Sequence, residues 1–148
     1  MGQQQLLLII LVTIIVGIAT VVAVTTFSET QKSINRDAVR QGLAEIASTA
    51  QAYYNKPRLL GGGGKSFTGL TLSDISFAMD TSNAAGTVAR NANGIFYLVR
   101  ANGDEFVIDG DPRSDVTGDQ DINVTPVLAN TVRATITPGS MSVEYVNN

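Results

Sequence analysis

The sequence contains no histidine, no cysteine and no tryptophan among its 148 residues. Without histidine and cysteine it lacks the most frequent general base, the thiol nucleophile and the ligands of most zinc and iron sites. The carboxylates, serines, lysines and tyrosines that remain form no recognisable catalytic spacing. The composition therefore predicts a protein that is not an enzyme and that no disulfide bond stabilises.

Charged side chains are missing from the N-terminal part of the chain, where Glu29 is the first. Leu6 to Val24 is a run of 19 residues made only of Leu, Ile, Val, Ala, one Gly and two Thr. A helix of this length covers roughly 28 Å, which is about the thickness of the hydrocarbon core of a bilayer. One interpretation of the run is an apolar helix that lies in a membrane and later packs with copies of itself, and the continuation of the helix described below favours it.

Two other interpretations of this segment stay open. A cleaved secretory signal has cations before an apolar core of about 7 to 15 residues, whereas residues 1–5 have none and the core here is longer. A simple membrane anchor fits the length, but Lys32, Arg36 and Arg40 follow the run and no basic residue precedes it. The positive-inside bias would then place the soluble part in the cytoplasm.

Proline is scarce, and the first of four, Pro57, follows a second helical pattern. From Glu29 to Asn55, apolar residues recur at spacings of 3, 4 and 7, which is one face of an α-helix. No turn signal separates this pattern from the apolar run. We therefore predict one long helix over 1–56, apolar in 1–26 and amphipathic in 27–56, and a small β-rich head over 57–148.

The head contains two predicted hairpins. Asn102-Gly103 lies between the β-prone runs 95–100 and 105–109, and this pair favours a hairpin because both residues accept positive φ. Pro138-Gly139 separates the runs 131–136 and 142–146 in the same way. The fold class is α+β: a long N-terminal helix packed on an antiparallel sheet of about four strands, with the other sheet face in solvent.

Two further segments of the head carry β or turn signals. Apolar residues alternate within 67–80, which predicts a strand with one buried face. Gly61 to Gly64 precede Lys65-Ser66, but the phosphate-binding loop needs a glycine where Leu59 stands, and it needs a strand before it. We interpret this glycine run as a flexible connection from the helix to the sheet.

An acidic segment, Asp109 to Asp121, holds five aspartates. Asp119, Asp121 and Asn123 match the first half of a calcium-binding loop, although Val124 stands where that loop needs glycine. A solvated acidic loop is the simpler interpretation and Ca²⁺ is the alternative; no other cofactor is predicted. Asn123 is also a candidate N-glycosylation acceptor, because Thr125 follows two positions later.

The N-terminal run Gln5-Leu6-Leu7-Leu8-Ile9-Ile10-Leu11-Val12, its seamless change to an amphipathic helix and the β-rich C-terminal part resemble the type IV pilin family. The resemblance implies a pilin-like fold and a helical homopolymer at the cell surface. It also implies that inner-membrane lipid holds the apolar half before assembly, and that pilus assembly machinery moves the subunit into the filament.

The chain departs from the family pattern at the fifth mature position, which is usually glutamate. With Met1 as the first residue, Gln5 takes that place, and it can accept a hydrogen bond from a neighbour's terminal amine without supplying charge. With cleavage after Gly2, the fifth residue would be Leu7.

The candidate assembly residues are the N-terminal residue, the polar residue at the fifth position and the apolar side chains that follow. They are Met1, Gln5, Leu6, Leu7, Leu8, Ile9, Ile10, Leu11, Ile14, Ile15, Ile18, Val21 and Val22. Twelve of the fifteen residues from Val12 to Thr26 are Val, Ile or Thr, which are weaker helix formers. We predict that any loosening of the helix in a filament occurs around Thr13, Gly17 and Thr20.

The sequence thus predicts the structural major subunit of an extracellular filament. The alternatives are a minor pilin or pseudopilin of a secretion system, and a membrane-anchored domain that binds a ligand. Residues 57–148 carry 6 Lys or Arg against 10 Asp or Glu, so nucleic acid is not expected as a main partner, because phosphate binding needs a basic surface.

Overall fold

The computed structural model describes residues 2–112 and 131–146. Its helix α1 spans Gly2–Asn55, and short 3₁₀ turns lie at Arg58–Leu60 and Leu72–Asp74. The strands are β1 (Thr81–Ser82), β2 (Val88–Arg90), β3 (Gly94–Ala101), β4 (Phe106–Pro112), β5 (Thr131–Ile136) and β6 (Met141–Val146). The α+β class with a long apolar N-terminal helix and an antiparallel sheet is confirmed.

The chain divides into two compact units, Met1–Ser33 and Ile34–Asn148. The first unit is helical throughout its described residues. Proline, which would interrupt a helix, is absent before Pro57, and a helix satisfies the backbone hydrogen bonds of an apolar segment internally. The β-branched residues that lower helix propensity do not interrupt it.

In the second unit, the amphipathic part of α1 packs against one face of the sheet. The helix residues in this core are Val39, Leu43, Ile46, Ala47, Ala50 and Tyr54. The sheet contributes Phe96, Phe106, Ile108, Val132, Ala134 and Ile136. The helical spacing recognised in the sequence identifies the buried face from Val39 to Tyr54, whereas Ile34, which shares that spacing, is 53% exposed.

Two glycines allow the helix and the sheet to approach closely. A Cβ on Gly42 of α1 would lie 2.8 Å from Cζ of Phe96, and one on Gly110 of β4 would lie 2.5 Å from Cγ1 of Val39. A real Cβ at either position would push against a fully buried side chain.

The sheet is an antiparallel meander with the strand order β1-β2-β3-β4-β5-β6. Both predicted hairpins are present, as β3–β4 and β5–β6. In the first, however, neither Asn102 nor Gly103 has positive φ. Four residues connect these strands, and Asn102 N–H donates to the carbonyl of Glu105 at 2.8 Å. This four-residue loop reverses the chain without the positive φ values that a two-residue turn requires.

The segment 67–80 differs from its predicted strand. It contains turns and the 3₁₀ segment Leu72–Asp74. The Asp74 carboxylate fixes the start of this segment, because it accepts hydrogen bonds from Thr71 N–H at 3.1 Å and from Thr71 Oγ1 at 2.7 Å. Most of its apolar residues are buried all the same, including Phe67, Leu70 and Ile75, whereas Met79 is partly buried and Ala78 is exposed. Alternation therefore identified the inward side chains, but the local carboxylate bonds favoured turns over a strand.

The glycine run is compact, which differs from the flexible connection we expected. Gly63 N–H donates to the carbonyl of Tyr53 at 2.9 Å, and Lys65 N–H donates to that of Tyr54 at 2.9 Å. These bonds satisfy carbonyls at the C-terminal end of α1, which have no partner within the helix. We call residues 57–65 the tip.

Candidate functional site

The apolar part of α1 is the first candidate site. Its large side chains from Leu6 to Val24 are all exposed, from 48% at Val12 to 69% at Leu7. Within the described residues, α1 is the helix long and apolar enough to cross a membrane, judged by length and composition. An exposed apolar surface of this size indicates contact with lipid or with other chains.

The predicted assembly residues from Gln5 to Val22 all lie on this exposed helical segment. Met1 lies outside the described residues. The assignment of these residues to assembly stays a prediction, since a single chain leaves them exposed.

The three predicted helix-loosening positions lie within unbroken α-helix. Thr13 Oγ1 donates to the carbonyl of Ile10 at 2.8 Å, and Thr20 Oγ1 donates to that of Val16 at 2.8 Å. A Cβ on Gly17 would meet nothing within 4 Å. Hydroxyls that bond back to carbonyls weaken helical bonds slightly, and the prediction for a filament stays open.

A second candidate is the sheet face opposite the helix, where no sequence pattern predicts buried polar groups. Arg133 on β5 forms a bidentate ion pair with Asp109 on β4. Its Nε donates to Oδ1 and its Nη2 donates to Oδ2, both at 2.7 Å. Asp109 is fully buried. The hydrogen bond between Arg133 and Asp109 is the main cause that raises the pKa of the Arg133 guanidinium, whereas burial lowers that pKa.

The same face carries Tyr97, Asp111 and Thr131, all buried. Burial first, and then the Asp111 carboxylate, raise the pKa of the Tyr97 hydroxyl. The sequence pattern predicts this face in solvent, and that prediction is wrong for these residues. Alternation shows which residues share a face, but not how deeply that face is buried.

Sequence reasoning missed the Asp109–Arg133 pair because residues 113–130 separate its strands. Both residues occupy outward positions of β-prone runs, which is a signal for one shared face, but the register that brings them opposite each other is a tertiary property.

A third cluster joins α1 to the last strand. The guanidinium of Arg40 lies 4.5 Å from the ring centroid of Tyr145, and that of Arg36 lies 6.0 Å away. Tyr145 is 46% exposed. Such cation–π contacts stabilise by about 0.5–1 kcal/mol at exposed sites, so the cluster serves to hold the strand against the helix.

The predicted calcium ligands Asp119, Asp121 and Asn123, and the glycosylation candidate Asn123, lie outside the described residues. In ranges 2–112 and 131–146, no three carboxylates gather in a way that would hold a metal ion. Calcium binding stays a prediction.

Comparisons with protein-family models, with curated proteins and with solved structures find no match to this chain.

Proposed function

We propose that this chain is the structural major subunit of an extracellular helical filament similar to a type IV pilus. The observation that carries the proposal is the segment Leu6 to Val24, which is exposed and uncharged on every side. Packing these segments together removes their apolar surface from water, which is favourable by about 25 cal/mol per Å².

Assembly in this proposal starts from the membrane. The same segment is long enough to lie in lipid first, and the transfer from lipid to a protein core gains little, since lipid tails are as apolar as Leu. Extraction therefore needs work from an external machine. Each subunit then contacts the next through two different surfaces, and such heterologous contacts produce an open helix when the rotation does not close.

A membrane-anchored head is the second candidate, favoured by the same length and composition. A minor pilin or pseudopilin shares the architecture of the first proposal and differs from it in copy number and filament length.

Electron microscopy of material sheared from the surface of the producing cells tests the proposal. We expect long uniform fibres containing this chain, and we expect Ile14→Arg to abolish them, because a cation in the middle of an apolar helix costs about 2.5–3.5 kcal/mol in a membrane. Val99→Arg is the matched control, because Val99 is similarly exposed, at 48% against 55%, but lies in the head.

Two outcomes contradict the proposal. A wild-type chain that stays in the membrane fraction and is recovered only as a detergent-solubilised monomer supports the anchored head. Fibres that persist in Ile14→Arg would exclude the apolar segment as their core.

A further inference from the structure

The tip exposes two leucines on a rigid turn. Leu59 is 96% exposed and Leu60 is 65% exposed. The turn is held by the hydrogen bonds to the end of α1 and by its glycines: Gly61 has φ +79°, and a Cβ on Gly63 would lie 1.9 Å from the carbonyl oxygen of Ser66. The leucines therefore cannot withdraw from water without breaking the turn.

Three exposed cations are near these leucines in the sequence. One of them, Lys65, donates through Nζ to Asn55 Oδ1 at 2.6 Å and lies 5.5 Å from the ring centroid of Tyr54. Lys56, Arg58 and Lys65 belong to the tip or border it, and no acidic residue occurs between Glu45 and Asp74. None of the three forms an ion pair with any residue in the described ranges. The tip is thus an apolar and basic surface on a chain whose net charge is −3.

The exposed side of α1 in the second unit has complementary properties. Asp37 and Glu45 are exposed there, and Gln41, Ala44 and Ser48 lie exposed between and beside them. The small side chains of Ala44 and Ser48 leave room for leucines, and the two carboxylates match the cations of the tip. Arg36 and Arg40 are directed to the ring of Tyr145 instead.

The two surfaces cannot meet within one copy. The bond from Gly63 N–H to the Tyr53 carbonyl holds the tip at the end of α1, and Ala44 lies about 16 Å along the helix from Asn55 at 1.5 Å per residue. They can meet between copies, where one tip contacts one helix face and the contact repeats.

We infer that the tip of one copy docks on the exposed helix face 37–48 of a second copy. Burial of Leu59 and Leu60 supplies the apolar contact, and the cations set the orientation against Asp37 and Glu45. The inference rests on the proposed filament and specifies a contact between heads, separate from the apolar core.

Cysteine cross-linking tests this contact, because the chain has no cysteine of its own. Leu60→Cys is combined in turn with Gln41→Cys, Ala44→Cys or Ser48→Cys, and assembled filaments are treated with a short bis-maleimide. At least one pair is expected to give a ladder of dimers, trimers and larger species in denaturing gels. The controls are Leu60→Cys alone and Leu60→Cys combined with Val99→Cys. They should give no cross-linked species larger than a dimer.

A second variant measures what the contact contributes. Leu59→Ser with Leu60→Ser is expected to leave the head folded, because both side chains are in solvent, and to reduce the recovered filament several-fold. The inference is overturned if filaments form but none of the three cysteine pairs gives a ladder. It is also overturned if the serine variant gives filaments with the yield and heat resistance of the wild type. A wild-type chain that forms no filament contradicts the proposed function instead, so the two failures are distinguishable.

Discussion

At the scale of single residues, the Asp109–Arg133 pair has the largest consequence for the head. Arg133 keeps 28% of its side chain exposed, whereas Asp109 keeps none. Removing the guanidinium leaves a buried carboxylate without its counter-ion, and breaking a buried pair in this way costs about 3–5 kcal/mol.

We therefore expect Arg133→Met to lower the free energy of unfolding of the head by about 3–5 kcal/mol. Urea unfolding of the full chain in detergent, followed by tyrosine fluorescence, measures the change. Arg100→Met is the control, because the Arg100–Glu105 pair at 3.0 Å is exposed and such pairs contribute about 1 kcal/mol or less. The double variant Asp109→Val with Arg133→Met should regain most of the lost stability. Equal losses in Arg133→Met and in the control Arg100→Met would contradict this account.

The raised pKa of Tyr97 predicts that the stability of the head depends on pH. Its pKa is raised in the folded chain by burial and then by Asp111, so the folded head favours the neutral phenol. An unfolded tyrosine ionises near pH 10. The stabilisation is complete below that pH and is lost as the pH rises through the folded pKa.

The unfolding free energy of the wild type is therefore expected to fall above about pH 10, with a contribution from Tyr97 of at most about 1.4 kcal/mol per pH unit. Tyr97→Phe should remove that contribution, since phenylalanine does not ionise. Tyr145→Phe, at a half-exposed site, should keep the steep loss. Identical alkaline curves for the wild type and Tyr97→Phe would show that burial does not hold this phenol neutral.

At the scale of elements, the contact between α1 and the sheet depends on a small residue at position 42. The ring of Phe96 occupies the space that a Cβ on Gly42 would take. Helix and sheet therefore pack at a distance that only glycine permits here.

Gly42→Val is expected to lower the unfolding free energy of the head by about 1–3 kcal/mol, because extra methyl groups in a filled core force side chains or backbone to shift. Gly17→Val makes the same change in the same helix where nothing lies within 4 Å, and it should leave the stability of the head unchanged. Adding Phe96→Leu to Gly42→Val should restore part of the loss, as expected for residues in contact. A stable single variant would mean that the contact is loose.

At the scale of the whole molecule, charge and apolar surface are divided between different parts of the chain. The first unit carries its charged residues only from Glu29 onward, whereas the head holds ion pairs beside a packed core. In the proposed filament, the apolar part supplies the common core and the head supplies directional contacts such as the tip.

Much of this architecture was predictable from local patterns. The period of 3.6 in 29–55 identified the helix face that packs on the sheet, since side chains on one face share one environment. Both hairpins were predicted from turn residues between β-prone runs. The segment 67–80 was not, because the same alternation of buried residues fits a strand and a series of turns, and the Thr71–Asp74 bonds decided between them.

The candidate sites divide in a similar way. The apolar run from Leu6 to Val24 was recognisable from composition alone, because its length matches a bilayer and its side chains carry no charge. The sequence by itself thus determined the long helix, the antiparallel character of the head and the surface proposed for assembly. These follow from the covalent order of residues through periodicity and propensity, which act over a few residues.

Only the tertiary structure decided the Asp109–Arg133 pair, the closeness of Gly42 to Phe96 and the rigid exposure of Leu59 and Leu60. Each depends on the distance between segments far apart in the chain, or on which carbonyl a loop amide reaches. Register and close packing are cooperative properties of the assembled core, and no local pattern contains them.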